Sequence, residues 1–257
     1  MVRLLIRKTK GISRKNLRWG PRSHGYLVKD TSKPFHTDSG YLTPEALASE
    51  EGTVISSNTG AEFVSFTPSF LDLYNRIQRG AQIIPLKDIG SIITTTGIGK
   101  DSIVVDAGAG SGGLSLMLAH IAKEVVTYEM RDDHYEHVRK NANWLGLDNL
   151  TIKKGDAYQG FDETDVDVVT LDLPEPWQVV PHLTRTLRIG GYVVVYNPSI
   201  PQVSDFCETI RDHEQFEIQK IIEILERPWE MEGRKVRPRT QGIGHSGFLC
   251  FARRLQR

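Results

Sequence analysis

The sequence contains little cysteine and no long apolar segment. Cys207 and Cys250 are its only two cysteines, and they stand far apart without the spacing of a metal knuckle. This pattern excludes a disulfide framework and a zinc site, and it favours two small buried apolar residues. No run of about 18 apolar residues could span a bilayer, and no apolar signal-peptide core follows Met1. We therefore expect a cytoplasmic protein without a membrane span, a disulfide or a bound metal.

A net charge is missing as well, because 32 Lys and Arg residues balance 32 Asp and Glu residues. The distribution along the chain is nevertheless uneven. Residues 1–29 hold nine basic and no acidic residues, residues 227–257 hold eight basic and two acidic residues, and the segment between them is acidic. Basic ends suit a partner with a phosphate backbone, since Lys and Arg release condensed counterions when they neutralise phosphates. Two solvated basic tails are the alternative interpretation.

The first 67 residues show short β-like runs separated by turn residues. These runs lie at 2–7, 25–28, 53–56 and 62–66. We expect a small β-barrel-like domain over residues 1–67, and apolar residues at helical spacing over 68–79 then predict a linking helix.

Residues 68–257 form the second expected domain, because strand-like and helix-like patterns alternate there, as is typical of an α/β fold with a parallel sheet. Strands are predicted at 103–107, 124–129, 150–153, 166–171, 190–197, 216–224 and 246–252. Helices are predicted at 88–97, 112–122, 132–145, 176–187 and 201–213. The last two strands are expected to be joined by a short connection, so that an antiparallel strand closes a doubly wound, Rossmann-like, mostly parallel sheet of seven strands.

A glycine-rich turn follows the first of these strands. It contains Gly108, Gly110, Ser111, Gly112 and Gly113. Glycines are needed where a backbone bends tightly and must approach a ligand. With Glu129 at the end of the next strand as a ribose-binding acid, the turn suits either S-adenosylmethionine or a nicotinamide dinucleotide.

Three further features favour S-adenosylmethionine. Asp106 places a carboxylate where the cationic amino-acid end of that cofactor would lie, whereas a pyrophosphate would be repelled there. Asp156 and Ala157 follow the third strand, where the aspartate could accept a hydrogen bond from the adenine amine. Asp172 follows the fourth strand, at the sheet edge where such folds bind ligands. The ordered series predicts a methyltransferase.

The segment Asp172-Leu173-Pro174-Glu175-Pro176-Trp177 is the candidate for the acceptor chemistry. Its prolines restrict the backbone, so that a carboxylate and an aromatic ring can be held at the mouth of a pocket. Methylation of adenine N1 needs no prior deprotonation but yields a cation, which a fixed carboxylate stabilises. In the alternative interpretation, Asp172 only caps the following helix.

Other residues are candidates for binding the acceptor. Tyr196 ends the fifth strand and could stack on a flipped base, although a core tyrosine is nearly as consistent with the pattern. Arg237 resembles a phosphate-contacting residue, and His245 is either a second substrate contact or a turn residue.

With these residues in view, the chain resembles the tRNA adenine-N1 methyltransferases that modify the T-loop, especially their archaeal branch. The resemblance covers almost the whole length. The matching segments are Phe35-His36-Thr37-Asp38, Gln82-Ile83-Ile84, Lys87-Asp88, Asp106 to Gly113, Asp172-Leu173-Pro174, Gln202-Val203, Arg237-Pro238 and His245-Ser246-Gly247-Phe248.

The resemblance implies a class I methyltransferase domain behind a small β-barrel that contacts tRNA, and a homotetramer. It implies that Asp172 is the catalytic carboxylate with Tyr196 near the target base. It also implies that Glu129 holds the ribose of S-adenosylmethionine and that Asp156 lies at its adenine. Gln82 joins the expected cofactor site and Trp177 the expected substrate site. Adenine 58 of tRNA is the expected target, and archaeal members can also act on adenine 57.

Two positions depart from the family pattern. Pro85-Leu86 stands where an aromatic residue or His followed by Pro is usual, which removes a second ring expected against the target adenine. Ser246 replaces a more usual Thr.

Two other functions compete with this one. The first keeps the cofactor but methylates a protein carboxylate or a corrinoid precursor, and the basic N-terminus and the Asp-Leu-Pro segment argue against it. The second is a tRNA-binding subunit without catalysis, which would be expected to lose the glycine turn or Asp172.

Overall fold

The computed structural model describes residues 2–8, 25–240, 242 and 244–257. Internal contacts divide the chain into two compact units, one ending at Arg76 and one beginning at Ile77. The sequence pattern placed this boundary near residue 67. None of the described helices is both long and apolar enough to cross a lipid bilayer.

The first unit is built from short antiparallel strands. They are β1 (Arg3–Arg7), β2 (Gly25–Val28), β3 (Phe35–Thr37), β4 (Gly40–Leu42), β5 (Val54–Ser56) and β6 (Glu62–Phe66), with helices α1 (Pro44–Leu47) and α2 (Phe70–Tyr74). Four of the strands form a sheet in the order β2-β1-β6-β5, and β3 pairs with β4 in a separate hairpin. The four predicted strands are confirmed. Five basic residues of the N-terminal segment, Lys10, Arg14, Lys15, Arg18 and Arg22, lie outside the described residues.

The second unit contains a seven-stranded sheet flanked by helices. Its strands are β7 (Ile103–Ala107), β8 (Glu124–Glu129), β9 (Leu150–Lys154), β10 (Val166–Leu171), β11 (Leu187–Asn197), β12 (Phe216–Glu223) and β15 (Phe248–Arg254), and β13 (Trp229–Glu232) and β14 (Lys235–Pro238) form a separate hairpin. Its helices are α3 (Leu86–Thr96), α4 (Gly113–Ala119), α5 (Asp132–Leu145), α6 (Val180–Thr186) and α7 (Ile200–Arg211).

The strand order is β12-β15-β11-β10-β7-β8-β9, and only β15 runs antiparallel to its neighbours. This confirms the predicted Rossmann-like sheet. The chain leaves β7 towards β8 and β9 on one side and later returns to β10 and β11 on the other. The crevice between β7 and β10 is therefore the switch point at which such sheets bind ligands.

The helix predicted over 176–187 begins as a 3-10 turn at 176–179 and continues directly into α6, which has a proline at its start. One prediction about the connections is wrong. The final two sheet strands are not joined by a short connection, because residues 224–247 lie between them and include the β13–β14 hairpin. Gly233, at a φ of +57°, makes the turn of that hairpin.

Apolar side chains from successive strand residues point to opposite faces of the sheet and form two cores. Val105 and Leu171 belong to one core, and Val104 and Phe251 belong to the other. Cys207 and Cys250 are both buried in the first core, as predicted. The sequence did not indicate that α7 and β15 bring their sulfur atoms to 3.6 Å from each other.

Candidate functional site

A cavity of about 490 Å³ opens at the carboxyl ends of the parallel strands, at the switch point of the sheet. The loops after β7, β8, β9 and β10 and the end of β11 contribute its walls. Ten of the residues predicted for the site line it, namely Gln82, Asp106, Gly108, Gly110, Gly113, Glu129, Asp156, Ala157, Asp172 and Tyr196.

The glycine turn after β7 lies directly against the segment that follows β10. The Asp172 amide donates to the Ala107 carbonyl over 2.9 Å, and this hydrogen bond keeps the two segments together beyond the ends of β7 and β10. Gly108 has a φ of +90°, and a Cβ atom at this position would collide with the Asp172 carbonyl oxygen. Glycine is therefore required at Gly108 both by the backbone conformation and by the close approach.

The remaining glycines of the turn make different contacts. The Gly110 amide donates to the Glu129 carboxylate over 2.9 Å. Gly112, at a φ of +84°, is the N-cap residue of α4 and does not line the cavity. A Cβ atom at Gly113 would collide with the Ile83 side chain, which packs over the first turn of α4.

Ser111 lies beneath the turn, outside the cavity lining, and holds the backbone of residues 78–84, hereafter the strap. Its hydroxyl accepts hydrogen bonds from the amides of Gly80 and Ala81 and donates to the Ala81 carbonyl, all at 2.9–3.0 Å. Buried Asn141 on α5 bonds both the amide and the carbonyl of Gln78. The strap is thereby fixed across the glycine turn, and its residues 81–84 form one wall of the cavity.

Asp106, predicted to face a cationic group of the cofactor, is almost fully buried at the edge of the cavity. Its two carboxylate oxygens accept hydrogen bonds of 2.7 Å from the hydroxyls of Thr127 and Thr170 on the flanking strands. Burial raises the pKa of Asp106 to about 6, although the two threonine hydroxyls oppose the shift. The carboxylate therefore ties three strands together, and each oxygen retains capacity to accept a further hydrogen bond.

Glu129 ends β8 with its carboxylate held by two backbone amides. Gly110 donates to one oxygen and Arg131 donates to the other, each over 2.9 Å. His134 on α5 lies 3.6 Å from the same carboxylate and lines the cavity. The side chain is thus locked in one orientation, as a bidentate acceptor for a diol requires.

The loop after β9 contains Asp156, whose side chain accepts a hydrogen bond of 3.0 Å from the Tyr158 amide and caps a 3-10 turn. The Tyr158 hydroxyl accepts from the Glu175 amide over 3.2 Å. This contact joins the loop after β9 to the loop after β10.

Asp172 lines the cavity, and its carboxylate accepts no hydrogen bond from the described residues. The 3-10 turn at 176–179 and helix α6 have no side-chain cap, so the interpretation of Asp172 as a helix cap is wrong. Burial raises the pKa of Asp172 to about 7, and the nearby Asp106 carboxylate adds to the shift. Burying a carboxylate without a hydrogen-bond partner costs free energy, unless a ligand supplies the missing donor.

The backbone beyond Asp172 is held by side chains from β11 and α7. Asn197 donates to the Leu173 carbonyl and Gln202 donates to the Pro174 carbonyl, each over 2.9 Å. The loop is therefore fixed from both sides.

Tyr196 is both a core residue and a cavity residue. It is 7% exposed and packs in the core that contains Phe251, yet its ring also lines the cavity. Its hydroxyl donates to the Ser246 carbonyl over 2.7 Å. Burial raises the pKa of Tyr196 to about 12, so the phenol is neutral at physiological pH.

Three residues predicted to bind substrate do not line the cavity. Trp177 is partly buried in the 3-10 turn after Asp172. Arg237 is exposed on β14, 3.5 Å from the Glu230 carboxylate. His245 lies beside the cavity, where its ring bonds the Glu223 carboxylate and the Pro198 carbonyl.

The cavity lining also includes side chains that the sequence did not mark as site residues, among them Tyr128, His134, Tyr158 and Ser246. Tyr128 directly precedes Glu129 and His134 lies in the first turn of the next helix, so their proximity to Glu129 was a usable signal. Ser246 lies far along the chain from the other cavity residues, and only its place before β15 brings it to the site.

A Rossmann-like sheet in this strand order, with a glycine turn after its first strand and acidic residues after the next ones, defines the class of methyltransferases with a nucleoside-based methyl donor. The chain belongs to the family described as "tRNA methyltransferase complex GCD14 subunit", whose pattern matches residues 63–240. Membership in a methyltransferase family favours a methyl donor over the nicotinamide interpretation of the glycine turn.

Individual relatives agree with this assignment. The chain is 34% identical, over 90% of its length and 92% of the relative's, to a tRNA (adenine(57)-N(1)/adenine(58)-N(1))-methyltransferase TrmI from Methanocaldococcus jannaschii. It is 31% identical to the tRNA (adenine(58)-N(1))-methyltransferase TrmI of Thermus thermophilus, over 86% and 88% of the two chains. A crystal structure of a SAM-dependent O-methyltransferase from Thermotoga maritima superposes with a TM-score of 0.82 and 26% identity, covering 100% of this chain and 93% of the other.

Proposed function

We propose that the protein transfers a methyl group from S-adenosylmethionine to N1 of adenine 58 in the T-loop of tRNA, with adenine 57 as a second candidate position. The observation that carries the proposal is the Asp172 carboxylate, which lines the cavity at the switch point without a hydrogen-bond donor from the described residues. The sequence relatives support the choice of acceptor, because both are named for adenine N1 in tRNA.

The cavity fits a nucleoside-based methyl donor. The glycine turn brings bare backbone to the cavity wall at Gly108 and Gly110, and Glu129 offers an orientated carboxylate for a ribose diol. Asp156 and Ala157 would lie at the adenine, while Gln82 and Asp106 would face the amino-acid end. When bound, S-adenosylmethionine supplies an electrophilic methyl group on a sulfonium centre.

Asp172 would act on the acceptor rather than as a base. Its carboxylate can accept a hydrogen bond from the exocyclic amine of adenine and stabilise the positive charge that develops on the ring. Because the pKa of Asp172 is about 7, ligand binding that adds a donor would favour the ionised form. A guanine in the same position would present a carbonyl oxygen to the carboxylate and be repelled.

Tyr196 would provide a surface for the base. A neutral phenol whose hydroxyl is already bonded to the Ser246 carbonyl is poorly suited to remove a proton. Its ring can stack on an extruded purine, and such stacking contributes about 1–3 kcal/mol.

The competing functions are less consistent with these features. A non-catalytic subunit has no need of an unpaired carboxylate at a cavity, which destabilises the fold. A protein carboxylate as acceptor would carry negative charge towards Asp172 and Asp106. The Thermotoga maritima protein is named for an oxygen acceptor, and a direct assay therefore has to distinguish the acceptors.

The proposal is tested with labelled S-adenosylmethionine and an unmodified tRNA transcript, followed by digestion to nucleosides. We expect 1-methyladenosine as the product, and its loss by at least about 100-fold in Asp172→Ala while calorimetry still detects donor binding. A transcript with adenines 57 and 58 replaced by uridine is the matched control and should accept no label. Label on that transcript, or an undiminished rate in Asp172→Ala, would refute the assignment.

The assembly and the outer tRNA contacts also belong to this proposal. The family resemblance supports a homotetramer acting in the cytoplasm, which light scattering of the purified protein and localisation of a tagged chain would test. Basic residues of the first unit, together with Arg237 and Trp177, are proposed to contact the tRNA around the target base.

A further inference from the structure

Two segments that the proposed chemistry leaves without a role meet beside the cavity. They are Lys87-Asp88 at the start of α3 and the segment 245–248 before and into β15. The Ser246 hydroxyl donates to the Asp88 carboxylate over 2.9 Å and accepts from the Lys87 ammonium over 2.7 Å. Lys87 also contacts both Asp88 oxygens at 2.8 Å. These three side chains are hereafter the α3 junction.

The α3 junction is built as a buried charged cluster. The Asp88 side chain is fully buried and that of Lys87 is 13% exposed. Neighbouring residues on a helix do not normally face each other, so the pairing of Lys87 with Asp88 indicates that both side chains turn towards a common third partner. That partner is the Ser246 hydroxyl. A buried ion pair is weak evidence for stability, because desolvation offsets most of its attraction.

The residue that the α3 junction holds in place is Tyr196. The Ser246 carbonyl accepts the Tyr196 hydroxyl, as described above. The next residue, Gly247, lies flat against the ring, since a Cβ atom there would collide with the phenol. The ring that lines the acceptor side of the cavity therefore rests on the backbone of Ser246-Gly247.

The same segment is anchored at its two ends. His245 donates to the Pro198 carbonyl over 2.8 Å, and Phe248 pairs with Asn197 in the sheet. Between these anchors, the α3 junction supplies the side-chain hydrogen bonds of Ser246. Removing those bonds frees the peptide on which the Tyr196 hydroxyl depends, while the ends of the segment stay attached.

We infer that Asp88 and Ser246, with Lys87, are positioning residues for methyl transfer, which act by fixing the Tyr196 ring against the acceptor base. They are not catalytic residues, because they act through Tyr196. The inference rests on the proposed function, and it adds which residues orient the Tyr196 ring. Misplacement of a reacting group by about 1 Å can slow a reaction by about 100-fold.

The kinetic test compares Ser246→Ala, Ser246→Thr and Asp88→Asn by single-turnover methylation of tRNA. We expect Ser246→Ala and Asp88→Asn to slow the chemical step by about 10- to 100-fold with unchanged affinity for S-adenosylmethionine. Ser246→Thr restores the hydroxyl and should recover most of the lost rate. Asp101→Asn is the matched control, because Lys100 and Asp101 form the same sequential pair with both side chains more than 80% exposed.

A readout independent of activity follows the Tyr196 ring itself. The protein is labelled with 3-fluorotyrosine, and the ¹⁹F signal of Tyr196, one of eight tyrosines, is identified by its loss in Tyr196→Phe. We expect this signal to shift or broaden in Ser246→Ala and Asp88→Asn, and to stay in place in Ser246→Thr and Asp101→Asn.

The outcomes separate the inference from the proposed function. An unchanged Tyr196 signal and unchanged rate in folded Ser246→Ala would overturn the inference while leaving the function intact. Equal losses of rate and donor affinity would also overturn it, since they indicate general collapse of the cavity. If the unaltered protein makes no 1-methyladenosine, the proposed function fails, while the ¹⁹F measurement still decides whether the α3 junction positions the ring.

Discussion

At the scale of single residues, the Asp172 carboxyl is partly buried and receives no hydrogen bond from the part of the chain that the structure describes. Its neighbour Asp106 is more deeply buried but receives two hydroxyl hydrogen bonds. Both pKa values are raised, to about 7 for Asp172 and to about 6 for Asp106. The residue without partners is the one left to interact with a ligand.

The pKa of Asp172 predicts the pH dependence of methyl transfer. If the ionised carboxylate stabilises the developing cation, the single-turnover rate should fall about tenfold per pH unit below pH 7 and level off above it. The rate is measured between pH 5.5 and 8.5 with subsaturating tRNA, so that it reports the pKa of Asp172 before the acceptor binds. Asp172→Asn should be slow and should lack the acidic limb, and a pH-independent rate in the unaltered protein would contradict the role of this carboxylate.

The raised pKa of Asp172 also predicts that removing the charge of this side chain stabilises the fold. Because the folded state binds the Asp172 proton more tightly than the unfolded chain, the charge lowers the free energy of unfolding progressively as the pH rises from about 4 to about 7. Asp172→Asn should therefore raise that free energy by on the order of 2–4 kcal/mol at pH 8 and by little at pH 4. Denaturant unfolding of the ligand-free protein at both pH values measures this, and equal effects at the two values would show that the charge is not responsible.

At the scale of structural elements, the strap over the glycine turn is the feature that closes the cofactor side of the cavity. Ser111 and Asn141 hold its backbone, and Gly113 makes space for Ile83. None of these contacts is part of the regular sheet. The strap is thus a separate element whose position depends on a few buried hydrogen bonds.

Asn141→Ala tests the strap. Asn141 also donates to the Ser111 carbonyl over 2.9 Å. Its removal takes one partner each from the Gln78 amide, the Gln78 carbonyl and the Ser111 carbonyl, so we expect a loss of about 1–3 kcal/mol of stability and weaker donor binding. Differential scanning fluorimetry and calorimetry measure the two effects. Asn143→Ala, at an exposed position of the same helix, is the control and should change neither. Unaltered donor affinity in Asn141→Ala would show that the strap does not contribute to the cofactor site.

At the scale of the whole molecule, the basic C-terminal residues are not a free tail. β15 lies inside the sheet between β11 and β12, and Arg234, Lys235 and Arg237 lie in the β13–β14 hairpin that precedes it. Arg234 and Arg237 are exposed on this hairpin, outside the cavity. Residues 229–238 hold three basic and two acidic residues, so the hairpin presents only part of the C-terminal positive charge.

Binding of tRNA should depend on salt through this hairpin. The double substitution Arg234→Gln with Arg237→Gln should reduce the slope of log K against log salt by about 0.7–0.9 for each phosphate that is no longer neutralised. Filter binding at salt concentrations from about 50 to about 300 mM gives the slope of log K against log salt. The matched pair Lys123→Gln with Lys140→Gln removes two exposed charges elsewhere, and a similar decrease of the slope in both pairs would contradict a local tRNA contact.

Much of the site was predictable because parallel strands end at one edge of a sheet. Glu129 ends a strand, and Asp156 and Asp172 follow strands, so the strand pattern was enough to predict their convergence. The role of Ser111 was not predictable, because the direction of its hydroxyl depends on the strap. That Tyr196 is also a core residue was not predictable either, because its packing depends on which strand lies beside β11.

The sequence by itself determined the strand and helix pattern, the glycine turn, and the identity of the acidic residues at the strand ends, because periodicity and backbone restrictions act over short distances along the chain. Only the tertiary structure decided that Asp106 is bonded whereas Asp172 is not, that the strap covers the turn, and that Lys87 and Asp88 meet Ser246. These features depend on contacts between residues up to 159 positions apart, and such contacts exist only once the sheet order has brought distant segments to the same edge.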